Sequence, residues 1–131
     1  MALTHSIAIR NALADLVVDA LDTGTADAAG DIEIATSAAF TTVVSTIDFA
    51  NPAFGDAAGG TATALGVPLE DSTAAGGGAA TAFRTRDRDN AELFRGTVGA
   101  TGSGEDMELS STTINPGDAV RINSFTYTSS P

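Results

Sequence analysis

Near the N-terminus, hydrophobic residues recur at the three- and four-residue spacing of one helix face. The apolar positions are Ile9, Leu13, Leu16, Val17, Ala20 and Leu21, and the polar positions Arg10, Asn11, Asp15, Asp19 and Asp22 fall mostly on the other side. This pattern predicts an amphipathic helix over roughly residues 5–22. Thr4 or Ser6 can cap its start, and Gly24 supplies the left-handed residue that commonly follows a helix end. The apolar stripe is expected to pack on its own domain, and the alternative is docking onto a partner.

After Gly24 the pattern changes to short segments rich in Val, Ile, Thr and Phe, separated by glycine, proline or aspartate. These segments are 31–36, 40–49, 60–67, 79–86, 92–98, 107–114 and 119–128. They predict about seven strands. The expected fold is mainly β: a single-domain antiparallel β-sandwich or small barrel over residues 1–131, with one N-terminal α-helix at 5–22 and a β body at 31–128.

The connections between these segments predict two tight turns and two loose loops. Residues 87–90, Asp-Arg-Asp-Asn, tolerate the left-handed angles of a hairpin tip. Residues 115–118, Asn-Pro-Gly-Asp, are typical of a β-turn and are expected between the last two strands. The glycine-rich stretches 71–78 and 99–106 are expected to be flexible connections on the surface.

Composition then limits the function classes. The chain has 131 residues and no cysteine, which excludes disulfides, thiol chemistry and a cysteine-based zinc site. Six arginines, no lysine and seventeen acidic residues give a net charge of −11. Such a surface repels a phosphate backbone, so nucleic acid is not an expected partner. Neither a secretory signal nor an apolar run of about 20 residues is present, so no membrane association is expected.

The sequence offers little catalytic chemistry. His5 is the single histidine, so a serine nucleophile has no plausible base, and no lysine is available to reach a phosphate. The acidic residues are scattered through turns and the helix, where a solvated surface is their ordinary role. A calcium site is one hypothesis for the closely spaced oxygen donors Asp87, Asp89, Asn90 and Glu92. The segment lacks the central glycine and the distal glutamate of a helix-loop-helix calcium site. We therefore expect no catalytic residues, no cofactor and no metal, and a protein that is not an enzyme.

The arginines are unevenly distributed. Four of the six, Arg84, Arg86, Arg88 and Arg95, lie in the predicted 79–98 hairpin. Arg84 and Arg86 share a strand face by the two-residue period, so they can present a bidentate surface to carboxylates of another subunit. The alternative is that they pair locally with Asp87, Asp89 and Glu92 and contribute little.

Several segments resemble a family of small virion structural proteins of tailed phages, and the similarity spans nearly the whole chain. They are Ile-Arg-Asn-Ala-Leu at 9–13, Phe-Ala-Asn-Pro-Ala-Phe-Gly at 49–55, Ala-Thr-Ala-Phe-Arg-Thr-Arg-Asp at 80–87, Asp-Met-Glu-Leu at 106–109 and Ile-Asn-Pro-Gly-Asp-Ala-Val at 114–120. A closing strand of the form G-x-x-V-x-I-x-S-F-T occupies 117–126. The resemblance implies a virion role, for which a capsid decoration or cement protein is the favoured form.

In that role the protein would be made in the host cytoplasm and would stabilise the capsid surface by binding the major capsid protein and itself, as a homo-oligomer for which a trimer is natural. Arg84, Arg86 and the C-terminal strand around Phe125 and Tyr127 are the contact candidates. A tail, neck or fibre component would have the same composition and remains an alternative. A carbohydrate-binding β module is a weaker alternative because the chain has no tryptophan and one tyrosine.

Overall fold

A computed structural model describes residues 3–131. The helix α1 spans Ile7–Asp19 and continues as a 3-10 turn at Ala20–Asp22. Ser6, rather than Thr4, is the N-cap: its Oγ accepts a hydrogen bond from the backbone N–H of Ile9 at 3.3 Å. Gly24 has φ +117°, as the left-handed residue after the helical segment requires. The predicted N-terminal helix is confirmed, and this helix is too short and too polar to cross a bilayer.

The rest of the described chain is built from short strands, which confirms the prediction of a mainly β fold with one N-terminal helix. In chain order they are β1 (Asp31–Ala35), β2 (Val43–Asp48), β3 (Thr61–Thr63), β4 (Leu69–Asp71), β5 (Gly78–Ala79), β6 (Ala82–Arg86), β7 (Glu92–Ala100), β8 (Met107–Leu109), β9 (Thr113–Ile114), β10 (Val120–Ile122) and β11 (Thr126–Thr128). Some predicted segments are split, because their two halves pair with different strands.

The main sheet has five strands in the order β2-β1-β6-β7-β8. Its pairings are antiparallel except β7–β8, which is parallel. Three two-stranded pairings, β10–β4, β11–β3 and β5–β9, and two isolated bridges, Phe54–Ala64 and Ala58–Thr61, make up the other described β structure. Strand β1 is buried along its whole length because it lies between β2 and β6 and has residues packed on both faces.

One hydrophobic core joins the helix, the main sheet and the smaller pairings. It contains aliphatic residues of α1, β1 and β2 together with four phenylalanines, Phe49, Phe54, Phe83 and Phe125. The ring of Phe125 lies 5.7–6.4 Å from those of the other three and of Phe94. The C-terminal segment is thus an integral part of the core.

The orientation of α1 differs from the expectation that all of its apolar residues pack on the body. The small or apolar residues Ala14, Val18 and Leu21 are buried against the body. By contrast, Ile9, Leu13 and Leu16 are 49%, 36% and 71% exposed. The expectation that the stripe packs on its own domain is therefore wrong for these three residues.

The polar side of the helix faces the body because it supplies hydrogen-bond acceptors. The side-chain Oδ1 atoms of Asn11, Asp15 and Asp22 accept hydrogen bonds from the backbone N–H groups of Gly60, Ala57 and Ala53 at 2.7, 2.8 and 2.9 Å, respectively. These donors lie in 53–60, a segment largely outside the strands. Once packed under a helix they need partners. These hydrogen bonds orient the helix with Asn11, Asp15 and Asp22 toward the body, and they leave Leu13 and Leu16 exposed.

Replacing Asn11 with alanine should therefore destabilise the fold. The buried backbone N–H of Gly60 loses its acceptor, and we expect the free energy of unfolding to fall by about 1–2 kcal/mol even though alanine is the better helix former. Urea unfolding followed by circular dichroism measures the change.

Asp19→Asn is the matched control, because Asp19 lies on the same helix but is exposed. Burial, followed by the charges of Asp15, Asp22 and Asp56, raises the pKa of the Asp19 carboxyl. The carboxylate is thus less favourable in the folded chain than in the unfolded chain, and its neutralisation should leave stability unchanged or increase it at neutral pH. Equal losses in the two variants would contradict the proposed role of Asn11.

The predicted turns are confirmed at 87–90 and 115–118. Residues 87–90 connect β6 to β7, and Asn90 has φ +65°. The backbone N–H of Asp118 donates to the carbonyl of Asn115 at 3.0 Å, which closes the second turn. That turn joins β9 to β10, which fall within the last two predicted strand segments, 107–114 and 119–128.

The two glycine-rich connections form hydrogen bonds with neighbouring strands. In 101–106, the carboxylate of Glu108 accepts hydrogen bonds from the backbone N–H groups of Gly104 and Gly102, and both bonds lower its pKa. The loop lies on the surface, as predicted. In 71–78, Ala74 is buried and Gly76 donates to the carbonyl of Val44 in β2 at 3.2 Å. The surface prediction therefore fails for part of this second connection, which packs along the edge of the main sheet.

Candidate functional site

The predicted arginine patch lies on the outer face of the main sheet, where it forms part of a mixed-charge network. We call this set the charge network: Asp31, Glu33, Arg84, Arg86, Glu92 and Arg95. The strand register places Arg84 of β6 opposite Glu33 of β1, and Arg86 opposite Asp31. Three arginines and three carboxylates cancel formally, so the patch is not a positive surface.

Arg86 is the most enclosed of these arginines. Its Nε and Nη2 bind the two carboxylate oxygens of Asp31 at 2.8 and 2.6 Å, a two-point geometry that suits the planar guanidinium. The side chains are 19% and 11% exposed. The hydrogen bond to Asp31 raises the pKa of Arg86, although burial opposes it. The guanidinium of Arg86, which was expected to bind a neighbouring subunit, is therefore bound to Asp31 of its own chain.

Arg84 and Arg95 complete the network from the neighbouring positions. Arg84 Nε binds Glu33 at 2.6 Å, and its Nη1 lies 3.5 Å from Glu92. Arg95 binds both oxygens of Glu92 at 3.0 and 2.7 Å, and this contact is the main cause of the lowered pKa of Glu92. The guanidinium groups of Arg84 and Arg95 also stand 4.5 and 5.1 Å from the ring centre of Phe40. The arginines thus pair within the chain, as the alternative hypothesis stated. The main partners of Arg84 and Arg86 are Glu33 and Asp31 of β1.

The hairpin tip binds the connection that follows the helix. Arg88 Nε donates to the carbonyl of Asp27 at 2.7 Å. Asp89 Oδ1 accepts hydrogen bonds from the backbone N–H groups of Thr25 and Ala26 at 2.9 and 3.0 Å, and these two bonds lower its pKa. Arg88 is thus directed to its own chain as well. The acidic residues of the tip act as backbone caps and ion-pair partners.

The two aromatic contact candidates differ in position. Phe125 is 6% exposed within the core, so it is not available for a surface contact in this fold, which corrects the expectation. Tyr127 is partly buried, with its ring 5.1 Å from that of Phe94. A cavity of about 260 Å³ opens beside them and is lined in part by Phe94, Tyr127, Arg95 and Asp106. Asp106 already accepts hydrogen bonds from the backbone and hydroxyl of Thr97 at 3.0 and 3.2 Å.

No metal-binding cluster is present in the part of the chain that the structure describes: residues 3–131 contain no group of three or more histidine, aspartate or glutamate side chains placed to hold an ion. A cleft of about 580 Å³ does bring together Asp27, Asp31, Asp48 and Arg86. Burial, followed by the nearby charges of Asp31, Asp27 and Asp71, raises the pKa of Asp48. Asp31 in this cleft is paired with Arg86, so the cleft is part of the charge network.

The exposed side of α1 is the surface that the fold leaves without an intramolecular partner. Ile9, Leu13 and Leu16, which we call the helix stripe, lie on one side of the helix. The opposite side carries Val18 and the acceptors that bind 53–60. The body therefore holds the helix from the other side, and residues 3–131 leave the stripe uncovered.

No family model matches the chain, and no curated protein or solved structure shows significant similarity to it.

The apolar stripe predicted from the sequence contained Ile9, Leu13 and Leu16, which are exposed, but also Leu21, which is buried. The arginines were predicted to contact another subunit, whereas the structure pairs them within the chain. The stripe was visible as a spacing, but its direction depended on acceptors that bind backbone groups some 40–50 residues away. Asp31 and Glu33 were missed as arginine partners, although two acidic residues alternating in a strand of isoleucines were a usable signal.

Proposed function

We propose that this protein is a non-catalytic virion structural protein that acts by assembly, as a capsid decoration or cement protein bound to the major capsid protein. The observation that supports assembly is the helix stripe, an apolar helix face exposed on the side opposite the body. Isolated exposed leucines are common, whereas an aligned set on one helix face is typical of a binding surface. The virion setting comes from the resemblance of the sequence segments to tailed-phage proteins.

In this proposal the charge network stabilises the main sheet and does not bind the partner. Arg84 and Arg86 bind β1, so they hold the main sheet together. The assembly contact is therefore assigned to the helix stripe in place of the arginines and Phe125. A homo-oligomer, including the trimer favoured by the resemblance, is retained as part of the proposal.

Quantitative mass spectrometry of purified virus particles tests the virion role. We expect this chain at a copy number comparable to that of the major shell protein, because a decoration protein repeats its contact over the whole capsid. A few copies per particle would instead place the protein in the tail or neck. Absence from washed, intact particles would contradict the virion role altogether.

A further inference from the structure

The helix stripe has the geometry of a docking ridge. Ile9, Leu13 and Leu16 follow one another at four- and three-residue spacing, so they span about 10 Å along the helix axis. Leu16, the most exposed of the three, lies near the C-terminal end of α1. Because the helix is fixed to the body by its other side, the ridge is presented in a constant orientation.

One border of this ridge carries a negative charge. Asp19 is exposed and lies one helical turn after Leu16. Asp15 and Asp22 lie further round the helix, where their carboxylates bind the body, and their charges add to the negative field at Asp19. The last turn of α1 has no basic residue, so the partial negative charge of the helix end adds to the field. Arg10, the one basic residue of the helix, is turned toward the body and packs against Gly60.

We propose that the helix stripe and its acidic border bind a basic amphipathic segment of the partner protein, with apolar side chains on the ridge and arginine or lysine beside Asp19. The inference rests on the proposed function for the identity of the assembly, and it adds the chemistry of the contact. Charge complementarity selects this occupant. A second copy docked ridge to ridge would bring two negatively charged borders together, and anionic lipid would be repelled by the same border. A homo-oligomer of this chain would therefore use another surface.

Two synthetic helical peptides with identical leucine positions, one with a lysine polar face and one with a glutamate polar face, test the inference on the full chain. Isothermal titration calorimetry should show binding of the lysine peptide alone. Leu13→Gln combined with Leu16→Gln should weaken that binding about tenfold or more, because both residues lose apolar burial. Asp19→Asn should weaken it less and should reduce its dependence on salt.

Leu65→Gln is the matched control, because Leu65 is also an exposed leucine, at 41%, but lies outside the helix. It should bind the lysine peptide as the unmodified protein does. Circular dichroism of all variants verifies that folding is retained.

The inference would be overturned by no measurable binding of the lysine peptide, by equal binding of the glutamate peptide, by unchanged binding in the double leucine variant, or by binding to anionic vesicles through the same leucines. Self-association that the double variant abolishes would assign the ridge to a second copy and would also overturn the inference.

The virion role is judged separately: if the chain is absent from particles but peptide binding persists, only the virion role fails. If particles contain the chain but peptide binding fails, only this inference fails.

Discussion

Phe125→Ala should lower the free energy of unfolding by about 3–5 kcal/mol, the largest effect that we expect from a single substitution in this chain. Phe125 is 6% exposed, and its ring contacts those of Phe49, Phe54, Phe83 and Phe94. Truncation removes apolar burial and opens a cavity among aromatic side chains that small movements do not fill. Urea unfolding monitored by circular dichroism gives the loss directly.

Two comparison variants keep this prediction testable if Phe125→Ala does not fold. Phe125→Leu retains much of the apolar volume and should lose less stability than the alanine variant. Tyr127→Ala removes a partly buried ring at the edge of the same cluster, and its loss should also be smaller. If Phe125→Ala had near-normal stability but failed to assemble, Phe125 would be a contact residue and its placement in the core would be wrong.

The second large effect is expected for Arg86→Ala, which should cost about 2–3 kcal/mol. The substitution leaves the carboxylate of Asp31 mostly buried and without its two guanidinium bonds, next to the further negative charge of Glu33. The value is set below that of a fully buried pair because the Arg86 side chain is 19% exposed.

Arg121→Ala is the control for Arg86→Ala. Arg121 also pairs with a carboxylate of a neighbouring strand, Glu70, but its side chain is 57% exposed. Its loss should be below about 1 kcal/mol. Unfolding midpoints of the two variants, measured side by side, separate enclosed from exposed pairing. If both variants lost less than about 1 kcal/mol of unfolding free energy, the Arg86–Asp31 pair would contribute little to stability, and Arg86 would again be a candidate for a contact with a partner.

The elements that sequence reasoning predicted well are those whose signal is local. The helix cap at Ser6, the positive φ of Gly24 and the hairpin around Asn90 all depend on residues a few positions apart. Strand β1 was predicted to within one residue, and the end of β6 at Arg86 was predicted correctly although its start was placed three residues early. Their β-branched and aromatic residues are followed by clear turn signals.

The elements that were predicted poorly depend on distant partners. The rotation of α1 follows from backbone donors in 53–60, which a hydrophobic pattern does not register. The main role of Arg86 depends on Asp31, which is 55 positions away. Phe125 resembled an exposed strand residue because its segment alternates with serine and threonine, and its burial is set by four other rings. Tertiary context decided each of these cases.

The position of Phe125 also bears on how the chain folds. The aromatic cluster unites segments near residues 49, 83 and 125, and β1 must pair with β6 across about fifty intervening positions. Neither contact forms by local zippering, so loop-closure entropy must be overcome before the interior gains its burial. Chains dominated by such non-local contacts fold in roughly milliseconds to seconds, far more slowly than helical bundles. We therefore expect the pairing of β1 with β6 and the closure of the aromatic cluster, and not the formation of α1, to limit the folding rate.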